Sequence, residues 1–136
     1  MKKISAPLAL VLCVIAICGG LFGGGGAKAQ SVAPLNVSWT WTLSEKCGVK
    51  SPAFTIGNIP TDTKTLKFVM VDLDAPMFNH GGGTVAYSGS DAIPAGAFTY
   101  KGPCPPDPHK YEFTVTAINA AGATIGRGKA VRSFPP

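Results

Sequence analysis

Two acidic residues and two histidines are spaced so that a fold could gather them: Asp72 and Asp74 in DLDAP, His80 six residues on, and His109 with Tyr111 in HKY. A carboxylate beside an imidazole can orient it, hold its proton and present an imidazolium to an anion. A tyrosine hydroxyl two residues along an extended chain points to the same face and adds a donor. The same types allow plainer roles. Aspartates at the end of a strand commonly cap a turn through nearby backbone N–H groups, and a lone histidine is by default a surface residue. A third use is a metal site of the two-His, one-carboxylate kind, from His80, His109 and one aspartate. Half a hydrolytic set is also present, but no serine or cysteine sits in a recognisable nucleophile elbow. The expectation is therefore a binding protein without a cofactor, not an enzyme.

What singles out His109 is the loop before it, GPCPPDP. Pro103, Pro105, Pro106 and Pro108 each restrict φ and remove an N–H. Such stiffness is wasted on a connection. It suits a pocket, because pre-organised groups lose less entropy on binding. Cys104 in that loop and Cys47 lie 57 residues apart.

The first 29 residues read as an export signal: Lys2 and Lys3, the apolar run Leu8 to Ile17, a glycine-rich stretch and Ala27-Lys28-Ala29 as the cleavage site. The alternative is an uncleaved anchor, for which the run is short and interrupted by glycine. Leu12 and Ile17 stand where a lipoprotein would need a small residue before Cys13 or Cys18. Cleavage leaves residues 30–136, one small domain. It also removes three of twelve basic residues, so the +5 charge falls to +2, nine basic residues against seven acidic. That balance argues against nucleic acid and leaves small anions open. Cys47 and Cys104 remain as the two cysteines of a periplasmic or secreted chain, and the expectation is a disulfide. Closing that loop is worth roughly 4 kcal/mol.

The elements that must carry these groups read as strands. Leu35 to Leu43 alternates throughout, with Trp39 and Trp41 on the apolar face. Core packing of that pair is favoured over an exposed binding stripe. Thr65 to Val71 is apolar on both faces toward its end, as in a central strand. Tyr111 to Ala117 alternates again, and Asn119 to Thr124 reads as a hairpin turn. Ala53 to Ile56, Thr84 to Tyr87, Ala97 to Tyr100 and Gly128 to Phe134 are further candidates. No run outside the signal has helical spacing, and no repeat, linker or second domain is visible. The expected fold is mainly β: an antiparallel Greek-key sandwich or open barrel with few or no helices.

DLDAP followed by GPCPP-x-x-HKY resembles the phosphatidylethanolamine-binding protein family, also called Raf-kinase-inhibitor-like proteins, and above all its compact prokaryotic members. That family carries D-P-D-A-P and then a G-P-x-P-P loop ending in H-R-Y. CGVKSPAF and IPTDTKTLKFVMVD are similar to the family's upstream segments, so the resemblance runs from Cys47 to Asn119. It implies a Greek-key β fold with a small anion pocket lined by Asp72, Asp74, Gly102, Pro103, His109 and Tyr111. His80 would stand for the family's histidine between tryptophans. Here those tryptophans are missing and three glycines follow. Leu73 replaces a proline and Lys110 an arginine, and the sequence stops at Pro136, short of the C-terminal helical segment of larger members. The implied function is an exported protein that binds a small anionic or phosphate-bearing ligand, without stable membrane insertion after signal cleavage. The alternative is an inhibitor or partner-binding module acting on a protein outside the cytoplasm.

Overall fold

The computed structural model describes residues 31–136; the proposed signal peptide lies outside the described residues. Eight strands follow in order: β1 (Ala33–Pro34), β2 (Asn36–Trp39), β3 (Phe54–Gly57), β4 (Thr63–Asp72), β5 (Asn79–Ala86), β6 (Ala92–Ile93), β7 (His109–Asn119) and β8 (Thr124–Phe134). They form a five-stranded sheet, β1-β8-β7-β4-β5, and a three-stranded sheet, β2-β3-β6. All pairings are antiparallel except that of β1 with β8, so the larger sheet is mixed at that edge. The one helical element among the described residues is a short 3-10 turn, Leu43–Glu45. No helix among the described residues is long and apolar enough to cross a membrane.

The alternation seen in the sequence becomes the core. Along β7, Tyr111, Phe113, Val115 and Ala117 are buried, while Lys110 is exposed. The smaller sheet packs its aromatic face onto this row. The Phe54 ring lies 4.9 Å from both Phe68 and Phe113, and Trp39 lies 5.2 Å from Phe113. The two pairs to Phe113 are edge-to-face and contribute beyond the area they bury. Trp39 and Trp41 are both core residues, 5.7 Å apart.

Three local expectations change. The stretch Leu35 to Leu43 does not run as one strand: β2 stops at Trp39 and Leu43 is exposed. A capping box explains the break, since Thr42 and Glu45 satisfy each other's backbone N–H groups and start the 3-10 turn. Ala97 to Tyr100 is not a strand. It makes a single bridge, Thr99 to Lys50, because its backbone is also bonded to loops. β4 is central, yet Val69 is 38 % exposed, because the second sheet covers only one face of the first.

Candidate functional site

β4 and β7 lie side by side, with Asp72 paired to Tyr111. Residues directly opposite each other point to the same face, and His109 shares that face with Tyr111 two residues on. Asp72 is 3 % exposed, and both its oxygens are engaged. Oδ1 accepts the N–H groups of Asp74 at 2.9 Å and Ala75 at 3.0 Å, which closes the turn. Oδ2 accepts from Nδ1 of His109 at 2.7 Å. The turn-capping role and the imidazole-orienting role therefore belong to one carboxylate.

The two motifs are tied together beyond that pair. Leu73 N–H donates to the Lys110 carbonyl, and Lys110 N–H donates to Oδ2 of Asp74 at 2.7 Å. Asp74 is exposed and acts as a bracket between DLDAP and HKY.

His80 reaches the same place by a different device. On β4 and β5, Lys67, Phe68 and Val69 pair with Thr84, Gly83 and Gly82 in regular register. Val71 then pairs with Asn79, where an uninterrupted ladder would give His80. The extra residue lies in the His80–Gly81 pair, which together oppose Met70, and the φ values of Gly81 and Gly82, +75° and +152°, suit glycine. A slip of one residue turns a side chain to the other face. His80, otherwise on the outer face with Val71, turns inward and is 3 % exposed. The glycines that break the family pattern in sequence are what aim this histidine. Its ring is held between Phe78, at 4.6 Å, and Tyr111, at 5.3 Å. Its Nδ1 donates to the Lys101 carbonyl at 2.6 Å, and its Nε2 stands 3.8 Å from Oδ2 of Asp72 without a hydrogen-bond partner.

The proline loop is anchored at four successive residues. Lys101 N–H bonds the His80 carbonyl, Gly102 N–H bonds the Gly48 carbonyl, the Pro103 carbonyl accepts from Cys47 N–H, and Cys104 is bridged to Cys47. A side chain at Gly102 would come within 2.7 Å of the Gly48 carbonyl oxygen, so the close approach requires glycine.

These pieces enclose a cavity of about 160 Å³. Pockets that engulf drug-sized ligands run to roughly 300–1,000 Å³, so this one suits a small polar group. Asp72, His80, His109 and Tyr111 line it, and Phe78 and Cys104 to Pro106 complete the wall. Gly102, Pro103 and Asp74 are not in the lining; they hold the loops that are. Ala75 and Phe78 were not singled out from the sequence, and Pro105 and Pro106 were singled out only for stiffening the loop, not as part of the wall. The exposed apolar pair Met77-Phe78, directly after the DLDAP turn, was the available signal. A larger depression of about 550 Å³ near Glu45, Lys50 and Gly96 contains no histidine, and Glu45 is occupied by its cap.

The electrostatics follow from the contacts. Burial opposes the charge of Asp72, but the bonds from His109, Asp74 and Ala75 outweigh it and hold its carboxyl below the ordinary range. The hydrogen bond to Asp72 raises His109; partial desolvation opposes this, and the charges of Asp72, Asp74 and Asp107 reinforce it. Burial, with the charge of Asp72 added, pushes the Tyr111 hydroxyl well above its usual value, so it stays protonated. Because Nδ1 of His109 is given to Asp72, only the protonated ring offers a second N–H. Among the described residues no group of three or more His, Cys, Asp or Glu side chains is arranged to hold a metal ion.

No family model matches the sequence, and no curated protein matches it. Solved structures do. YbcL of E. coli, described as a new member of the mammalian PEBP family, superposes with a TM-score of 0.59 at 18% identity, over 74% of this chain and 97% of its own. CT736 of Chlamydia trachomatis, described as a phosphatidylethanolamine-binding protein homologue, gives 0.57 at 18% identity, over 78% of this chain and 99% of its own. The chain has the fold of the phosphatidylethanolamine-binding protein family.

Proposed function

We propose that the protein binds a small anionic, phosphate-type ligand in the cavity formed by Asp72, His80, His109 and Tyr111. One observation carries this reading. A buried carboxylate fixes His109 by its Nδ1 and favours the protonated ring, and this ring lines a small cavity whose wall also includes the apolar Phe78, Pro105 and Pro106. In such surroundings a charge-assisted hydrogen bond to an oxyanion is strong. We read the site as binding rather than catalytic. Its lining includes no serine or threonine, and its one sulfur, that of Cys104, is bridged. We also place the protein outside the cytoplasm, in the periplasm or secreted, where that bridge persists.

The test is calorimetric titration with inorganic phosphate and a phosphomonoester, for the wild type and His109→Ala. Affinity should rise as the pH falls from about 8 to 6 while His109 gains its proton. It should weaken with added salt, and for inorganic phosphate, which keeps an O–H throughout this range, the alanine variant should lose most of the pH dependence. Equal binding by the two proteins with the same pH profile would place the ligand elsewhere. The partner-binding alternative would then lead. It draws on the exposed apolar side chains in and just after the DLDAP turn, Leu73, Met77 and Phe78, which are 44%, 96% and 54% exposed and of which Phe78 lines the cavity.

A further inference from the structure

The tautomer that His80 takes as a neutral ring is set by its neighbour. The Lys101 carbonyl can only accept, so Nδ1 of His80, 2.6 Å away, must be the donor. In the neutral ring Nε2 is then a bare lone pair. It is buried, without a partner, and faces a second acceptor, Oδ2 of Asp72, at 3.8 Å. The groups packed on the ring, Phe78 and Tyr111, bring no cation to it. The cavity therefore has an electropositive side at His109 and an acceptor side at His80 and Asp72. A ligand that satisfies both must carry a negative charge and also a hydrogen-bond donor.

We propose that His80 is a specificity-determining residue that selects oxyanions retaining an O–H, such as hydrogenphosphate or the monoanion of a phosphomonoester, and rejects protonless ones such as sulfate. The inference rests on the small-anion reading above. Hydrogenphosphate places its O–H against Nε2 or the Asp72 oxygen and its unprotonated oxygens toward His109. Sulfate has the same shape but sets a lone pair against a lone pair, leaving a buried acceptor unsatisfied and adding repulsion. Discrimination of this kind works through what the wrong ligand cannot do.

The experiment compares inorganic phosphate with sulfate at about pH 7.5, past the second dissociation of a phosphoryl group, where each is largely a dianion of the same shape. The wild type should prefer phosphate by roughly tenfold or more. His80→Gln should bring the ratio close to one, because its amide can turn either a donor or an acceptor to the ligand. Nitrogen-15 NMR of the ligand-free protein should show Nε2 of His80 unprotonated, a readout independent of whether the variant folds. Equal affinity of the wild type for both anions overturns the inference and leaves the small-anion reading standing. Binding of neither overturns both. An unchanged ratio in a folded His80→Gln, or a protonated Nε2 at that pH, removes His80 as the selector.

Discussion

Replacing Gly82 by alanine tests the claim that a bulge aims His80. A Cβ at this position would lie 2.0 Å from the Phe68 carbonyl oxygen, a backbone atom in the central strand that cannot step aside. The φ of +152° adds a second penalty, because side-chain-bearing residues in that region are strained by about 1–3 kcal/mol. Overpacking against a fixed neighbour adds about 1–3 kcal/mol. The sum, roughly 4 kcal/mol, is a large share of the stability of a small domain. At about 4–8 °C per kcal/mol, the melting temperature should fall by at least about 15 °C. Gly81→Ala is the control. Its φ is +75° but nothing lies within 4 Å of an added Cβ, so it should lose only the left-handed penalty of about 1–2 kcal/mol. Thermal unfolding of both variants, with phosphate titration of whatever remains folded, compares them. If the alternative to strain is a regular ladder, Gly82→Ala should also lose phosphate binding as His80 swings outward, while Gly81→Ala keeps it. Equal and small stability losses, or full binding by Gly82→Ala, would refute the reasoning.

Three further outcomes follow from the contacts. His109 is held above its ordinary 6.5 and Asp72 below its ordinary 3.8. The His109 share of stability is therefore complete below pH 6.5 and fades as pH rises through its folded value; that of Asp72 is complete above 3.8 and fades as pH falls through its folded value. The melting temperature of the wild type relative to His109→Ala should be highest between these values, and a flat difference across pH would contradict the pairing. Asp72→Asn should bring the NMR-monitored titration of His109 down toward the ordinary value; an unmoved midpoint would mean that Asp72 is not the partner. Replacing Cys47 and Cys104 by serine should lower stability by roughly 4 kcal/mol and weaken phosphate binding, because Cys104 to Pro106 form one wall of the cavity. Unchanged denaturant midpoint and affinity would show that the backbone bonds of Lys101 to Pro103 hold the loop alone.

The sequence by itself determined what local chemistry and period can determine. Alternation along Tyr111 to Ala117 dictates which side chains meet the other sheet, since successive residues of a strand face opposite ways. The prolines after Gly102 dictate a stiff loop, and its Cys104 has in Cys47 the other cysteine outside the N-terminal segment to bridge to. Of the site, Asp72, His109 and Tyr111 were legible because two short motifs carry them at strand ends. The break after Trp39 was written in Thr42 and Glu45, but unbroken alternation through Leu43 masked it. The inward turn of His80 was not legible, because it depends on register between β4 and β5. Register is a relation between two strands, and three successive glycines admit more than one. What settles it is packing: Phe98 lies over Gly83 and the Phe68 carbonyl crowds Gly82, which keeps both in register, so the extra residue is taken up at His80 and Gly81, opposite Met70. Likewise, no pattern along the chain could say that Asp74, Gly102 and Pro103 hold the cavity together from outside while Phe78 and Pro106 line it. Those roles depend on distances between loops far apart in sequence, and only the packed sheets bring the loops to the same end of the molecule.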